Sequence, residues 1–145
     1  IIKWRTKANY NHVMTMIWPG EFASQGNVFS SVPLSRYMTK QSRLKFWRIK
    51  DLTKEEELLI RKRIFDRLNL PRRKRRYDYL GILGQATGLK FIRSPSGRPY
   101  CSRQVKWDDL DGIIDMVEKY PSPKDLNEYF KQHPRLEVYG RWSAD

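Results

Sequence analysis

The chain carries one cysteine, Cys101, and two histidines, His12 and His133, so nucleophilic catalysis by a side chain has few ways to be built from it. A thiol becomes a competent nucleophile when a helix N-terminus or a neighbouring imidazole favours the thiolate, and the same imidazole can deliver the proton to a leaving group. Cys101 lies in RPYCSRQV (98–105), flanked by an aromatic residue and a serine at what reads as the first turn of a helix. His12 lies in NYNHVMTMI, near the start of a predicted strand. Their separation in sequence is no obstacle, since such pairs meet in space. On spacing alone two readings stay open. Cys101 and His12 form a nucleophile and its base, or Cys101 fills the core, as free cysteines commonly do, and His12 is a hydrogen-bonded strand-end histidine. His133, followed by Pro134, reads as a helix C-cap facing the negative end of the dipole.

The elements that must position these residues follow from periodicity. Residues 9–34 (NYNHVMTMIWPGEFASQGNVFSSVPL) predict an antiparallel meander, with short apolar runs broken at Pro19-Gly20 and Gly26-Asn27. RLKFWRI (43–49) alternates as a further strand. Residues 53–68 switch to the helical period, with Thr53 and Glu56 spaced as a capping box and Leu58, Ile64, Phe65 and Leu68 on one apolar face. YDYLGILGQATGL (77–89) predicts a short helix, and a loop over 90–99 leads into Tyr100-Cys101. Leu110, Ile113, Ile114 and Val117 predict a helix opened by the acidic DDLD. A calcium site at Asp108, Asp109 and Asp111 is disfavoured because their spacing fits no calcium loop. SPKD (122–125) places Ser at N-cap, Pro at N1 and Asp at N3 of another helix, and RLEVYGRW closes the chain as a strand. The order is that of an α+β chain, not of alternating βαβ units.

A length of 145 residues suits one domain spanning 1–145. With 39% hydrophobic and 13% aromatic residues the chain is too apolar to remain disordered, although 31% of it is charged. No apolar run approaches the roughly 18 residues of a transmembrane helix. The chain opens at Ile1 without a methionine, so the absence of a leader from it says nothing about export. One cysteine forms no internal disulfide, and with two distant histidines it makes no zinc-ligand set, so no metal or other cofactor is expected. The net charge of +13 points to polyanionic partners: nucleic acid, anionic lipid or anionic cell-wall polymer. Its densest patch is Arg72, Arg73, Lys74, Arg75 and Arg76, a run that could grip phosphates but has no interleaved aromatics to stack on bases.

Taken in order, NHVMTMI, YDYLGILG, YCSRQV and SPKDL resemble the circularly permuted papain-like hydrolases of the NlpC-type superfamily, with the YiiX-like group of bacteria and bacteriophages nearest in pattern. The matching features are a histidine at a strand start before a hydrophobic run (His12 to Thr15), the Tyr77-Asp78 dipeptide before a glycine-containing helix, and the aromatic-Cys-Ser of Tyr100-Cys101-Ser102. They extend over roughly residues 4–130. The resemblance implies a permuted papain-like fold, in which an antiparallel meander or small barrel packs on the helix that carries the cysteine and the histidine strand comes first. It implies hydrolysis or transfer at amide or ester carbonyls, on peptidoglycan peptides or lipid acyl groups, with Cys101 as nucleophile and His12 as general base and acid. The resemblance also implies a third polar residue on the neighbouring strand, orienting the imidazole. EFASQGN offers Glu21 and Gln25 on one strand face and Ser24 on the other, and Gln25, then Glu21, is preferred. Tyr77, Asp78, Tyr100 and Ser102 would shape the site. Arg103 stands where the family usually carries an acidic residue.

Two other classes compete with this reading. One is a basic nucleic-acid-binding module, favoured by the charge but without a helix-turn-helix, zinc-finger or RNP-like pattern. The other is a catalytically inactive structural or virion relative, hinted at by Arg103. The compartment stays open among bacterial cell envelope, cytoplasm and phage virion.

Overall fold

Residues 12–79, 101–116 and 121–144 are described in a computed structural model of the chain. The predicted helix beyond Tyr79, the loop over 90–99, Tyr100 and Val117 lie outside the described residues.

The fold is α+β with antiparallel sheets and few helices. Strands β1 (Thr15–Trp18), β2 (Glu21–Gln25) and β3 (Phe29–Pro33) form the expected meander in the order β1-β2-β3. Gly20 makes the first reversal at φ 82°, a conformation that L side chains rarely adopt. Strand β4 (Arg43–Ile49) does not extend the meander. It pairs with the closing strand β5 (Leu136–Ser143) as a separate two-stranded ribbon, so the described strands form two sheets and not one barrel.

Helix α1 (Lys54–Leu68) begins at the predicted capping box, in which the Thr53 hydroxyl accepts from the Glu56 N–H and the Glu56 carboxylate accepts from the Thr53 N–H. Its buried face differs from the expected one. Ile60 and Ile64, one turn apart, face the core, whereas Leu58 and Phe65 are 55% and 40% exposed. An i, i+4 pair makes a narrower stripe than the one read from sequence, and Phe65 instead lies beside Trp18 on the surface.

The cysteine segment opens the next described stretch as one α-helical turn, α2 (Cys101–Arg103), and continues as a π-helical turn through Asp109, where the Leu110 N–H reaches the Val105 carbonyl. The helix expected to start at DDLD is a correction: the helical segment ends there. Gly112 at φ 72° turns the chain, and left-handed glycine is a helix stop that outweighs an acidic run as a start signal. Leu110, Ile113 and Ile114 are nevertheless buried, from a non-helical turn.

Helix α3 (Pro123–Gln132) carries the predicted Ser122/Asp125 capping box, and His133 caps its C-terminus, donating its N–H to the Tyr129 carbonyl. The core gathers Ile17, Ala23 and Phe29 of the meander, Ile60 and Ile64 of α1, Val105 of the cysteine segment, and Leu126 and Phe130 of α3. Arg135 fastens its edge, bonding both Glu56 carboxylate oxygens, Asp51 and the Ile113 carbonyl. Among the described residues no helix is long and apolar enough to cross a membrane.

Candidate active site

The register of β1 on β2 sets Thr15 opposite Ala23, so the side chains of β2 alternate between Glu21, Ala23 and Gln25 on one face and Phe22 and Ser24 on the other. His12 reaches across to that second face. Its Nε2 lies 2.8 Å from the Ser24 hydroxyl, which lies 2.8 Å from the Tyr37 hydroxyl, and the Tyr37 hydroxyl is itself 3.4 Å from Nε2. Tyr37 comes from the 3-10 turn Leu34–Tyr37 that follows β3, and its ring stacks on the imidazole at 5.4 Å between centroids and 15° between planes. One nitrogen of His12 is thereby held by two hydroxyls and the ring by an aromatic face. Burial pushes the His12 pKa down from 6.5 to about 4, so the imidazole is neutral at neutral pH.

Cys101 is 3% exposed, and its thiol lies at the Val13 backbone, in the segment that leads from His12 into β1. Burial raises the thiol pKa above its ordinary value, opposed by hydrogen bonding from the Val13 and Ser102 backbone N–H groups, the Tyr77 hydroxyl and the Cys101 N–H. Val13 follows His12 directly, so the fold brings the cysteine segment, the His12 strand and Tyr77 to one place. A thiol of lowered pKa, which a helix start and an imidazolium would produce, is not the resting state here. Desolvation outweighs the donors, and the neutral imidazole offers no positive charge.

The two side chains preferred as the third member are engaged elsewhere. The Gln25 amide donates to the Gly26 and Arg75 carbonyls, and Glu21 accepts from the Ser31 hydroxyl. The residue at His12 is Ser24, from the face opposite Gln25. The reason is strand parity: Glu21 and Gln25 share the face of Ala23, which belongs to the core, while His12 shares its hydrogen bond with the other face.

The remaining expected site residues divide between the thiol and the scaffold. Tyr77 reaches the thiol, and its N–H donates to the Asn27 carbonyl beside the isolated bridge between Val28 and Arg76. Asp78 is buried. Ser102 is buried and donates to the Pro121 carbonyl, tying the cysteine segment to the start of α3. The basic run is a 3-10 turn over Arg72–Arg75, in which the Arg75 guanidinium folds back onto the Leu70 and Phe29 carbonyls. Trp47 packs edge-on against Phe130 in the core region, and Trp18 is exposed beneath the Arg61 guanidinium, 4.3 Å from its centroid.

Sequence reasoning misses two positions. Tyr37 has no local signature, because its place at His12 depends on how the turn after β3 folds back. Asp109 reads in sequence as part of a helix cap, whereas its buried carboxylate accepts from the Thr15 hydroxyl of β1 and the Gln104 amide, clamping the cysteine segment to the histidine strand. No sequence signal singles out Ser24, since its strand face also carries the buried Phe22. Among the described residues no group of three or more His, Cys, Asp and Glu side chains is placed to hold a metal ion. No family model matches the chain, and neither a curated protein nor a solved structure does.

Proposed function

We propose that the chain is a cysteine hydrolase of the permuted papain-like type, acting on an amide or ester carbonyl. The observation that carries this reading is the meeting of the Cys101 thiol with the backbone directly after His12, while two hydroxyls and a stacked ring hold the His12 imidazole. With Nε2 engaged by Ser24 and Tyr37, Nδ1 is the nitrogen assigned to the thiol.

Both groups rest in their neutral forms, so the proton moves as the bond forms. The Cys101 sulfur attacks the carbonyl carbon while Nδ1 takes its proton, and the resulting imidazolium passes that proton to the leaving nitrogen or oxygen. The carbon–leaving group bond breaks and leaves a thioester on Cys101. Water attacks the thioester with His12 again as base, and the proton returns to the sulfur. The backbone N–H groups around the sulfur and the Tyr77 hydroxyl are the donors at hand for the developing oxyanion. The substrate classes that follow from the resemblance are peptidoglycan stem peptides and lipid acyl groups.

A catalytically silent relative is the second reading, favoured by the depth of Cys101 and its raised pKa. Intact-mass measurement after exposure to activated acyl esters and stem peptides separates the two. The hydrolase reading expects an acyl adduct on native protein, none on Cys101→Ala, and adduct formation slowed by at least about tenfold in His12→Ala. No adduct with any probe, or formation indifferent to His12, sinks it.

A further inference from the structure

The β4–β5 ribbon brings like charges together, with Lys45 half-buried and Arg141 and Lys131 exposed. Lys45 and Arg141 are direct cross-strand partners, and like charges directly opposite one another destabilise a sheet. A two-stranded ribbon has little stability to lose. Lys131, in the last turn of α3, adds a third cation to the same corner. Burial first, then the charges of Arg141 and Lys131, hold the Lys45 pKa below its ordinary value, with Glu128 opposing them. The Glu128 carboxylate is itself engaged by Lys131 at 2.8 Å. Carboxylates meet cations on both surfaces, Lys54, Arg61 and Lys62 on α1 and Lys131 and Arg48 here, whereas Lys45 donates to the Asn127 amide oxygen and Arg141 is in no ion pair among the described residues.

The same ribbon interleaves aromatic rings with its cations. The Lys45 ammonium lies 4.3 Å from the centroid of Trp47, and the Arg48 guanidinium lies 5.2 Å from that of Tyr139, which is 69% exposed. Trp142 is half-buried opposite Leu44, and exposed Arg43 stands at the ribbon's end opposite Ser143. Lys45 and Arg141 share one face of the ribbon and Arg48 with Tyr139 the other, so a polymer that meets both the cations and the exposed ring passes around the edge of β5. The run 72–76, by contrast, offers cations alone and turns Arg75 inward.

We propose that the β4–β5 ribbon is a docking surface for single-stranded nucleic acid, with Lys45, Arg141 and Lys131 receiving phosphates and Tyr139 stacking on a base. Charge complementarity selects a polyanion, and the exposed ring beside an arginine selects one that carries bases over polyphosphates or lipid headgroups. This surface is independent of the Cys101 chemistry.

The test is fluorescence anisotropy of a labelled oligothymidylate over a salt series, with thermal unfolding of the same proteins. Arg141→Glu turns the repulsive Lys45 pair into an attractive one. It should weaken binding at least about tenfold and reduce the salt slope by about 0.7 for each phosphate no longer neutralised, while the unfolding midpoint holds or rises. Lys45→Gln should act in the same direction and guards against a folding artefact in the first variant. Tyr139→Ala should weaken binding by about fivefold or more with the slope unchanged. The proposal is overturned if Arg141→Glu binds like the native protein. It is equally overturned if the loss belongs only to Arg72→Gln/Arg73→Gln/Lys74→Gln. Inorganic polyphosphate or phosphatidylglycerol vesicles binding as tightly per charge, with Tyr139→Ala silent, would replace it with a charge-only or lipid surface.

Discussion

The meander with its cysteine segment and the β4–β5 ribbon handle charge in opposite ways within one basic chain. At the first, His12 and Cys101 are both driven towards their neutral forms by burial, and hydroxyls and backbone N–H groups satisfy them. At the second, Lys45, Arg141 and Lys131 stay close together near the surface, with the Glu128 carboxylate opposing their repulsion. The contrast has a physical basis. An unpaired charge in a dry interior costs several kcal/mol, so a buried pair survives by exchanging its charges for hydrogen bonds. Near water the high dielectric weakens the same repulsion, and a cluster of cations can be kept for an anionic partner. The same difference predicts that the two regions will respond oppositely to substitution: the first should lose stability when altered, and the second should lose binding.

The sharpest break is in the core beneath the site. Ile64 is fully buried between α1 and the meander, and Ile64→Ala should cost about 2–5 kcal/mol in urea unfolding, whereas Tyr139→Ala in the ribbon should stay within about 0.5 kcal/mol. Equal costs would erase the distinction between the two regions.

Acid comes next. Because folding lowers the His12 pKa from 6.5 to about 4, the unfolded chain binds the extra proton across that interval. The stabilisation is complete above pH 6.5 and is lost as pH falls towards 4, on the order of 3 kcal/mol in all. His12→Gln should flatten this part of the pH–stability curve. The raised Cys101 pKa works at the other end, where its stabilisation is present below the ordinary thiol pKa and is lost as pH rises through the folded value. Cys101→Ala should remove that alkaline loss.

A smaller effect tests how His12 is held. On the hydrolase reading, Ser24→Ala should lower kcat/KM by about fivefold, the worth of one hydrogen bond of about 1 kcal/mol, and should move the acid limb of the pH profile, which a purely structural defect would leave in place. Tyr37→Phe removes the longer 3.4 Å contact but keeps the stacked ring, so its effect should be weaker than that of Ser24→Ala. The smallest effect belongs to the exposed Arg48–Glu137 pair of the ribbon. Glu137→Gln should change stability by less than about 1 kcal/mol, and the change should vanish in high salt.

The local elements are legible in the sequence because their causes are local. Thr53 with Glu56 and Ser122 with Asp125 cap helices through contacts three residues apart, Pro19-Gly20 makes its own turn, and period-two runs mark the strands. The same reasoning puts the start of a helix at DDLD, where Gly112 is instead a stop, because acidic residues and a left-handed glycine compete and only the backbone decides between them. His12 and Cys101 can be named as candidates from their scarcity alone. What surrounds them depends on tertiary structure: Ser24 and not Gln25 at the imidazole, Tyr37 behind it, Asp109 clamped to Thr15, and a thiol buried deeply enough for desolvation to outweigh its donors. The pairing of β4 with β5, which sets Lys45 against Arg141, is of the same kind. Residue types and short spacings determine which groups are available and what each element can be, whereas burial and long-range register arise only when distant segments pack, and these decide the charge states of His12 and Cys101.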